Sequence, residues 1–353
     1  MKKAKGAFFS NKKINGAGEI LRKKNPGRIE IAFALDVLDK WRAWHAYPMN
    51  TFQTTLRRKV KFLKGKAVIA QRLKRLPTII EKLKRFPEME LARMQDIGGL
   101  RAILGSVGDV RKLCSIYRKI KFNHEEKDFK DYITNPKNSG YRGIHLVYKY
   151  KNNETTEYDG MLLELQFRTK LQHIWATTVE TMGTFSGKAL KSSQGDSEWL
   201  DFFKITSSAF AYMENTARVP GYESLNRKQT YKEVVKAVNK LDIIDKMKGF
   251  TLAAKMIDNN KKNKGWYYHL ITLDSVNKKV EVRSYSKEQL KMAASEYAKA
   301  EKRASGGEKI EPVLVSAGPI ASLKKAYPNY FLDTVDFIKE IEKIKILSTK
   351  QIK

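Results

Sequence analysis

The sequence holds a single cysteine, Cys114, in 353 residues. An internal disulfide and a multi-cysteine zinc site are thereby excluded, and a reducing, cytoplasmic setting fits. Long apolar runs are missing as well. No stretch of about 18 apolar residues occurs, so neither a transmembrane helix nor a membrane role is expected. The basic start, with Lys2, Lys3 and Lys5, is not followed by an apolar segment, so no secretory signal is expected. Acidic residues are scarce beside basic ones: 38 Asp and Glu stand against 69 Lys and Arg, a formal net charge of +31. Such a chain repels itself unless an anionic partner is near. That favours nucleic acid or nucleotide, although a solvated lysine-rich surface gives the same count. Internal repeats and low-complexity tracts are absent.

Apolar residues make up 42% of the chain, enough for one large core or two smaller ones. Residues 1–27 are basic and dotted with glycine, and read as a loosely docked arm. Helical spacing is expected over 28–45 and 52–66, the second with Arg57, Arg58, Lys59 and Lys61 opposite its apolar face. A short strand is expected at 68–72. Pro77 suits a first helical turn and opens a helix over 77–86. Further strands are expected at 100–104, 143–150 and 161–167, with a helix at 108–119. Helices follow at 170–183, 196–216, 228–246 and 248–259.

Composition shifts near Lys261. A hairpin over 266–273 and 279–283, a helix over 286–303 and a strand at 313–315 precede closing helices at 319–326 and 333–346. The fold class is α/β (α+β): a mixed central sheet flanked by helices, plus a small C-terminal ββαβα domain and terminal helices. The expected domains are an arm over 1–27, a main domain over 28–260, a small domain over 261–332 and an anchoring helix over 333–353.

Four segments concentrate chemistry. Arg72 and Lys74 lie two apart along a strand and share a face, and Thr78 with Lys82 share a face of the following helix. A strand end leading into a helix N-terminus, with cations on both, can cradle a triphosphate. Asp96, just ahead of a buried strand, suits Mg²⁺, and Arg101 can lie flat on a base. On that segment alone, a helix-capping Asp and a surface Arg fit equally well. In the loop 130–145, Tyr141 can stack on a base while Lys137 and Arg142 reach phosphates. Glu164, Gln166 and Arg168 alternate along one strand face, with Leu163, Leu165 and Phe167 on the other.

Together, in this order and spacing, these blocks resemble the synthetase domain of the RelA/SpoT family over roughly residues 30–220. The family pattern is Arg-x-Lys with Ser/Thr and Lys on the next helix, then Asp-x-x-Gly-x-Arg, then a Lys-Asp-Tyr-Ile-x-x-Pro-Lys-x-x-Gly-Tyr loop ending in His, then Glu-x-Gln-x-Arg-Thr. The resemblance implies a nucleotidyltransferase-like synthetase fold and a pyrophosphokinase using ATP and Mg²⁺. Arg72 and Arg101 would sandwich the adenine, and Lys74, Thr78 and Lys82 would hold its phosphates. Asp96 and Glu164 would be catalytic and coordinate the metal, with Glu164 also a candidate base. Tyr141 would stack on the acceptor base, and Lys137, Arg142, His145, Gln166 and Arg168 would line the acceptor path.

No histidine precedes an aspartate among the five present, so the hydrolase signature of bifunctional relatives is missing. The C-terminal block resembles the pseudo-zinc-finger domain of CapRel-type fused toxin–antitoxins. Tyr327 and Tyr330 match the Tyr-x-x-Tyr motif that blocks the ATP site there. That resemblance implies an autoinhibited monomer that modifies the 3′-CCA end of tRNA in antiphage defence, triggered by a phage protein such as the major capsid protein. A (p)ppGpp-type synthetase acting on GDP or GTP and a non-catalytic RNA-binding module are the alternatives.

Overall fold

The computed structural model describes residues 10–63, 65–74, 76–119, 122–185, 197–259, 265–274, 276–316 and 330–349. The chain divides into two compact units, residues 1–132 with 143–170, and residues 133–142 with 171–353. The division thus falls at the end of a central strand rather than near 260.

The first unit opens with three helices, α1 (Asn11–Arg22), α2 (Arg28–Trp44) and α3 (Ala46–Val60). Strand β1 (Val68–Leu73), helix α4 (Leu76–Arg85), strand β2 (Gly98–Leu104) and helix α5 (Val107–Lys119) follow. Strands β3 (Glu125–Asp131), β4 (Ile144–Lys149) and β5 (Leu162–Thr169) complete it. The five strands form one mixed sheet in the order β1-β2-β5-β4-β3, parallel only between β2 and β5.

Residues 11–22 correct the expectation of a loose arm. Ser10 accepts a hydrogen bond from Lys13 N and starts α1, which buries Ile14, Ala17, Gly18 and Leu21. Its apolar stripe is short, and the glycines mask its helical period. Gly18 serves a close crossing: a Cβ there would lie 2.9 Å from Leu91 Cβ. Arg22 then donates to the carbonyls of Leu83 and Met89, which closes the end of α1 onto the chain around α4. Burial of Ile14 and Leu21 stabilises this docking by roughly 1.5–3 kcal/mol per side chain.

The second helix of the sequence reading starts six residues earlier than expected, at Ala46, and ends at Val60. Pro48 lies within its first turn, where the missing N–H does no harm. Strand β3 was not expected. Its sequence, Glu-Glu-Lys-Asp-Phe-Lys-Asp, is charged except at Phe129, because it is an outer strand of the sheet and is largely exposed.

The sheet places most of its apolar side chains on one face, although Val147 and Ile103 lie on the other as register partners of Glu164 and Arg168. Leu100, Ala102, Leu163, Leu165, Phe167, Ile144 and Leu146 are all buried on one side, with α3 and α5 packed on the sheet. Tyr117 of α5 sits 5.6 Å from the ring of Phe167. Cross-strand partners face the same way, so the registers Arg72↔Gly99↔Glu164 and Arg101↔Gln166↔His145 place polar residues together on the other side.

The second unit contains helices α6 (Lys170–Phe185), α7 (Ser197–Met213), α8 (Arg227–Lys240) and α9 (Ile243–Asn259). The break between α8 and α9 comes at Leu241–Asp242, where Asp242 takes φ 49, not at 247 as the spacing suggested. Strands β6 (Trp266–Asp274) and β7 (Lys279–Ser286), helix α10 (Leu290–Ser305) and strand β8 (Ile310–Ser316) follow, and α11 (Tyr330–Thr349) ends the described chain.

The order β7-β6-β8 makes a three-stranded antiparallel sheet, with Leu270, Tyr285 and Ala293 as its core against α10. On the other side Gly249 of α9 approaches Leu273, whose Cδ2 would stand 2.8 Å from a Cβ at 249. This close packing, and that of α11 on α8 and α9, joins the small sheet to the helices in one unit. Phe337 of α11 is fully buried, its ring 5.7 Å from Phe210 and 6.2 Å from Phe203. The helix expected at 319–326 lies outside the described residues. Among the described residues no helix is long and apolar enough to cross a membrane.

Candidate active site

Two glycines make room for the site. A Cβ on Gly98 would collide with His45 at 2.9 Å, so the start of β2 can lie flat against the end of α2. His45 is buried there, its Nδ1 2.8 Å from Trp41 O, and burial pulls its pKa down to about 4. Gly99 faces the opposite side. With Arg72, Asp96, Arg101, Glu164 and Gln166 it lines a shallow depression on the polar face of the sheet.

Asp96, one turn of chain before β2, is held by two lysines. Lys74 Nζ stands 2.6 Å from Oδ2 and Lys82 Nζ 2.9 Å from Oδ1. Burial by itself would raise the Asp96 pKa, but Lys74 and Lys82 outweigh it and hold the carboxyl below its ordinary value. Lys74 is almost fully buried. Burial depresses its pKa, and only the Asp96 carboxylate offsets that in part. Lys82 and Thr78 project from α4, both half-buried, as their four-residue spacing implied.

Glu164 anchors a second chain of contacts. His145 Nδ1 lies 2.7 Å from its Oε1, and Gln166 Nε2 donates to its Oε2 at 2.6 Å. Gln166 Oε1 in turn accepts from Arg168 Nη2 at 2.8 Å. Burial opposes ionisation of Glu164, yet His145, Gln166 and Arg72 together hold its pKa well below the ordinary carboxylate range. Such a carboxylate is a weak proton acceptor. Its chemistry is to hold charge and to orient a neighbour.

The structure therefore brings together Arg72, Lys74, Thr78, Lys82, Asp96, Arg101, His145, Glu164, Gln166 and Arg168 in the first unit. Arg101, Gln166 and Arg168 are buried there, and Arg72 is half-buried. Lys130 belongs to the same face, directly across the register from His145. Sequence reading gave Lys130 no role, although it opens the Lys-Asp-Tyr-Ile motif. Two ionised carboxylates beside a cluster of phosphate-seeking cations match the ligand set of Mg²⁺, which takes one or two carboxylates and fills its remaining positions with water and phosphate oxygens.

Lys137, Tyr141 and Arg142 belong to the second unit. Lys137 is exposed, with Nζ 5.5 Å from the centroid of the Tyr141 ring, while Tyr141 itself is buried. The expectation for Arg142 needs correction. Its guanidinium does not face a phosphate path: it is 2% exposed and ion-paired to Glu214 at 2.7 Å. Nothing in the pattern around Arg142 separates a buried strut from a phosphate ligand, since the partner lies 72 residues away. Tyr327 lies outside the described residues. Tyr330 is the first residue of α11.

Residues 71–185 match the family described as a region found in RelA/SpoT proteins. The chain is similar to the GTP pyrophosphokinase YjbM of Bacillus subtilis (strain 168), 35% identical over 114 residues, which are 31% of this chain and 52% of that protein. It is also similar to the GTP pyrophosphokinase YwaC of the same organism, 30% identical over 115 residues, 30% of this chain and 52% of that protein. The chain thus spans 52% of the length of each of these relatives. Among solved structures, the small alarmone synthetase 1 from Bacillus subtilis aligns over 51% of this chain and 93% of its own, with 23% identity and a TM-score of 0.43.

Proposed function

We propose that this chain is a pyrophosphokinase that moves the β,γ-diphosphate of ATP onto a ribose 3′-hydroxyl, with residues 71–185 as its catalytic core. In that step the 3′-hydroxyl releases its proton to water as its oxygen bonds to the β-phosphorus, the bond from the α-phosphate bridge to the β-phosphorus breaks, and AMP leaves. The observation that carries the reading is the polar face of the five-stranded sheet. There Asp96 and Glu164 stay ionised among Arg72, Lys74, Lys82 and Arg101.

Transfer of this kind needs alignment and charge neutralisation more than covalent catalysis. Arg72 and Arg101 hold the adenine, and Lys74, Thr78 and Lys82 take the phosphates. Asp96 and Glu164 are the residues that would hold Mg²⁺, which supplies further neutralisation of phosphate charge when bound. Glu164, fixed by His145 and Gln166, orients the attacking hydroxyl. Lys137 and Tyr141 receive the acceptor nucleotide.

The acceptor in this reading is the 3′-CCA end of tRNA, supported by the net charge of +31 and the basic turn Arg57, Arg58 and Lys59 of α3. GDP or GTP is the second reading, favoured by the names of the matched relatives. The C-terminal block, with Tyr327 and Tyr330, acts as an inhibitor of a monomeric enzyme until a phage protein, such as the major capsid protein, releases it in antiphage defence. Support for that part is the sequence resemblance of the block.

The test is transfer of label from γ-labelled ATP, with deacylated tRNA and GDP or GTP supplied side by side. Label on tRNA supports the reading, and label on guanosine nucleotide alone replaces it with the second. No ATP consumption by a chain lacking residues 261–353 leaves an RNA-binding module. For inhibition, Tyr327→Ala or Tyr330→Ala makes expression toxic without a trigger, while adding Asp96→Ala removes the toxicity.

A further inference from the structure

The loop 133–142 ends in an anchor that the proposed reaction does not itself account for. Arg142 Nη1 donates to Glu214 Oε2 at 2.7 Å and to Thr216 Oγ1 at 3.0 Å, and Nε donates to Ser207 Oγ at 3.2 Å. Gln172 Nε2 reaches the same oxygen of Glu214 at 3.1 Å. Ser207 Oγ in turn donates to Gly140 O at 2.6 Å. The loop is therefore tied to α7 on both sides of Tyr141, through the carbonyl at 140 and the side chain at 142.

The local backbone is shaped for this. Glu214 lies just past the end of α7, and Asn215 takes φ 52. Thr216 N then bonds back to Ala211 O at 2.9 Å, so the left-handed residue turns Glu214 and Thr216 onto one guanidinium nitrogen. Gly140 takes φ 90, and a Cβ there would lie 2.9 Å from the Trp175 ring. Between the two ties the loop closes on itself, with Lys137 N bonded to Tyr141 O at 3.1 Å and Gly140 N to Lys137 O at 2.8 Å.

A buried ion pair is a poor source of net stability, since well-packed apolar residues of similar volume do as well or better. What such a pair supplies is direction: it admits one geometry of the fork and the carboxylate. We infer that Glu214 is a positioning residue for the acceptor, acting through Arg142 to fix Tyr141 and Lys137 where a nucleotide's base and phosphate are received. This rests on the reading of the chain as a pyrophosphokinase. It assigns a role to a residue well outside residues 71–185.

The test uses the full chain with Glu214→Gln and, separately, the paired change Arg142→Met with Glu214→Leu. The pair removes both charges at similar volume, so no buried charge is left unpaired, as it is in the single variant. Two quantities are read: hydrogen exchange at the amides of residues 137–142, and KM for the acceptor against KM for ATP. Expected are faster exchange at those amides and an acceptor KM raised about 10- to 100-fold, with KM for ATP unchanged. Unchanged exchange and unchanged acceptor KM in the paired variant reduce the contact to packing and overturn the inference. An equal rise in both KM values does the same, because it reports a general loosening. If the parent chain transfers nothing, the acceptor role falls with the functional reading, while the exchange data still decide whether the pair orders the loop.

Discussion

Gly99 and Glu164 are register partners across the parallel pair β2 and β5, and a Cβ on Gly99 would stand 2.7 Å from the Glu164 carbonyl oxygen. The obstacle is backbone, so it cannot swing aside as a side chain would. Gly99→Ala is therefore expected to push β2 from β5 and destabilise the first unit by about 1–3 kcal/mol. The displaced Glu164 should carry activity down with it. Thermal unfolding and the labelled transfer assay check the two effects separately, and an alanine variant with parental Tm and rate would show that the strands give way freely.

Asp96 holds both Lys74 and Lys82, so its removal has two consequences. Asp96→Ala is expected to lower transfer by about 10²- to 10³-fold or more, as loss of one preorganised electrostatic group does. It also leaves the nearly buried Lys74 ammonium without its carboxylate, which should lower the Lys74 pKa further. Titration of a chain carrying ¹³C-labelled lysine reads that shift without any turnover.

The pH dependence follows from the same carboxylates. Asp96 and Glu164 are both held below their ordinary values of 3.8 and 4.5. Depressed carboxyls contribute stability that is fully present above those ordinary values and is lost as pH falls through the lower, folded ones. Resistance to urea should thus show no contribution to its slope from this pair between about pH 6 and 8 and fall below about pH 4. Asp96→Asn should flatten the acid limb. An acid limb identical in parent and variant would place the responsible groups elsewhere.

Phe337 carries the docking of α11, with Phe202, Phe203 and Phe210 around it. Phe337→Ala is expected to remove about 3–5 kcal/mol from the second unit. Urea denaturation followed by tryptophan fluorescence, with Trp175 and Trp199 in that unit, measures it.

Most of the polar face of the sheet could be read from the chain itself, because strand alternation and helical spacing are local rules. Glu164, Gln166 and Arg168 alternate in sequence, and they alternate in the sheet. Thr78 and Lys82 need only one turn of helix. What escaped depends on contacts distant along the chain. Arg142 looked like a phosphate ligand because its partner Glu214 is 72 positions further on. Helix α1 looked like a loose arm because Gly16 and Gly18 weaken its pattern, whereas Gly18 is there to admit Leu91. Strand β3 lacks an apolar signature because Phe129 is its one apolar residue.

The charge along β3 has a further consequence. A strand at the rim offers unpaired backbone groups to any passing chain, and Glu125, Glu126, Lys127, Asp128 and Lys130 surround those groups with hydrated charge. Another strand could add there only by stripping water from that row. The segment that reads worst as a strand thus closes this edge of the sheet to a further strand.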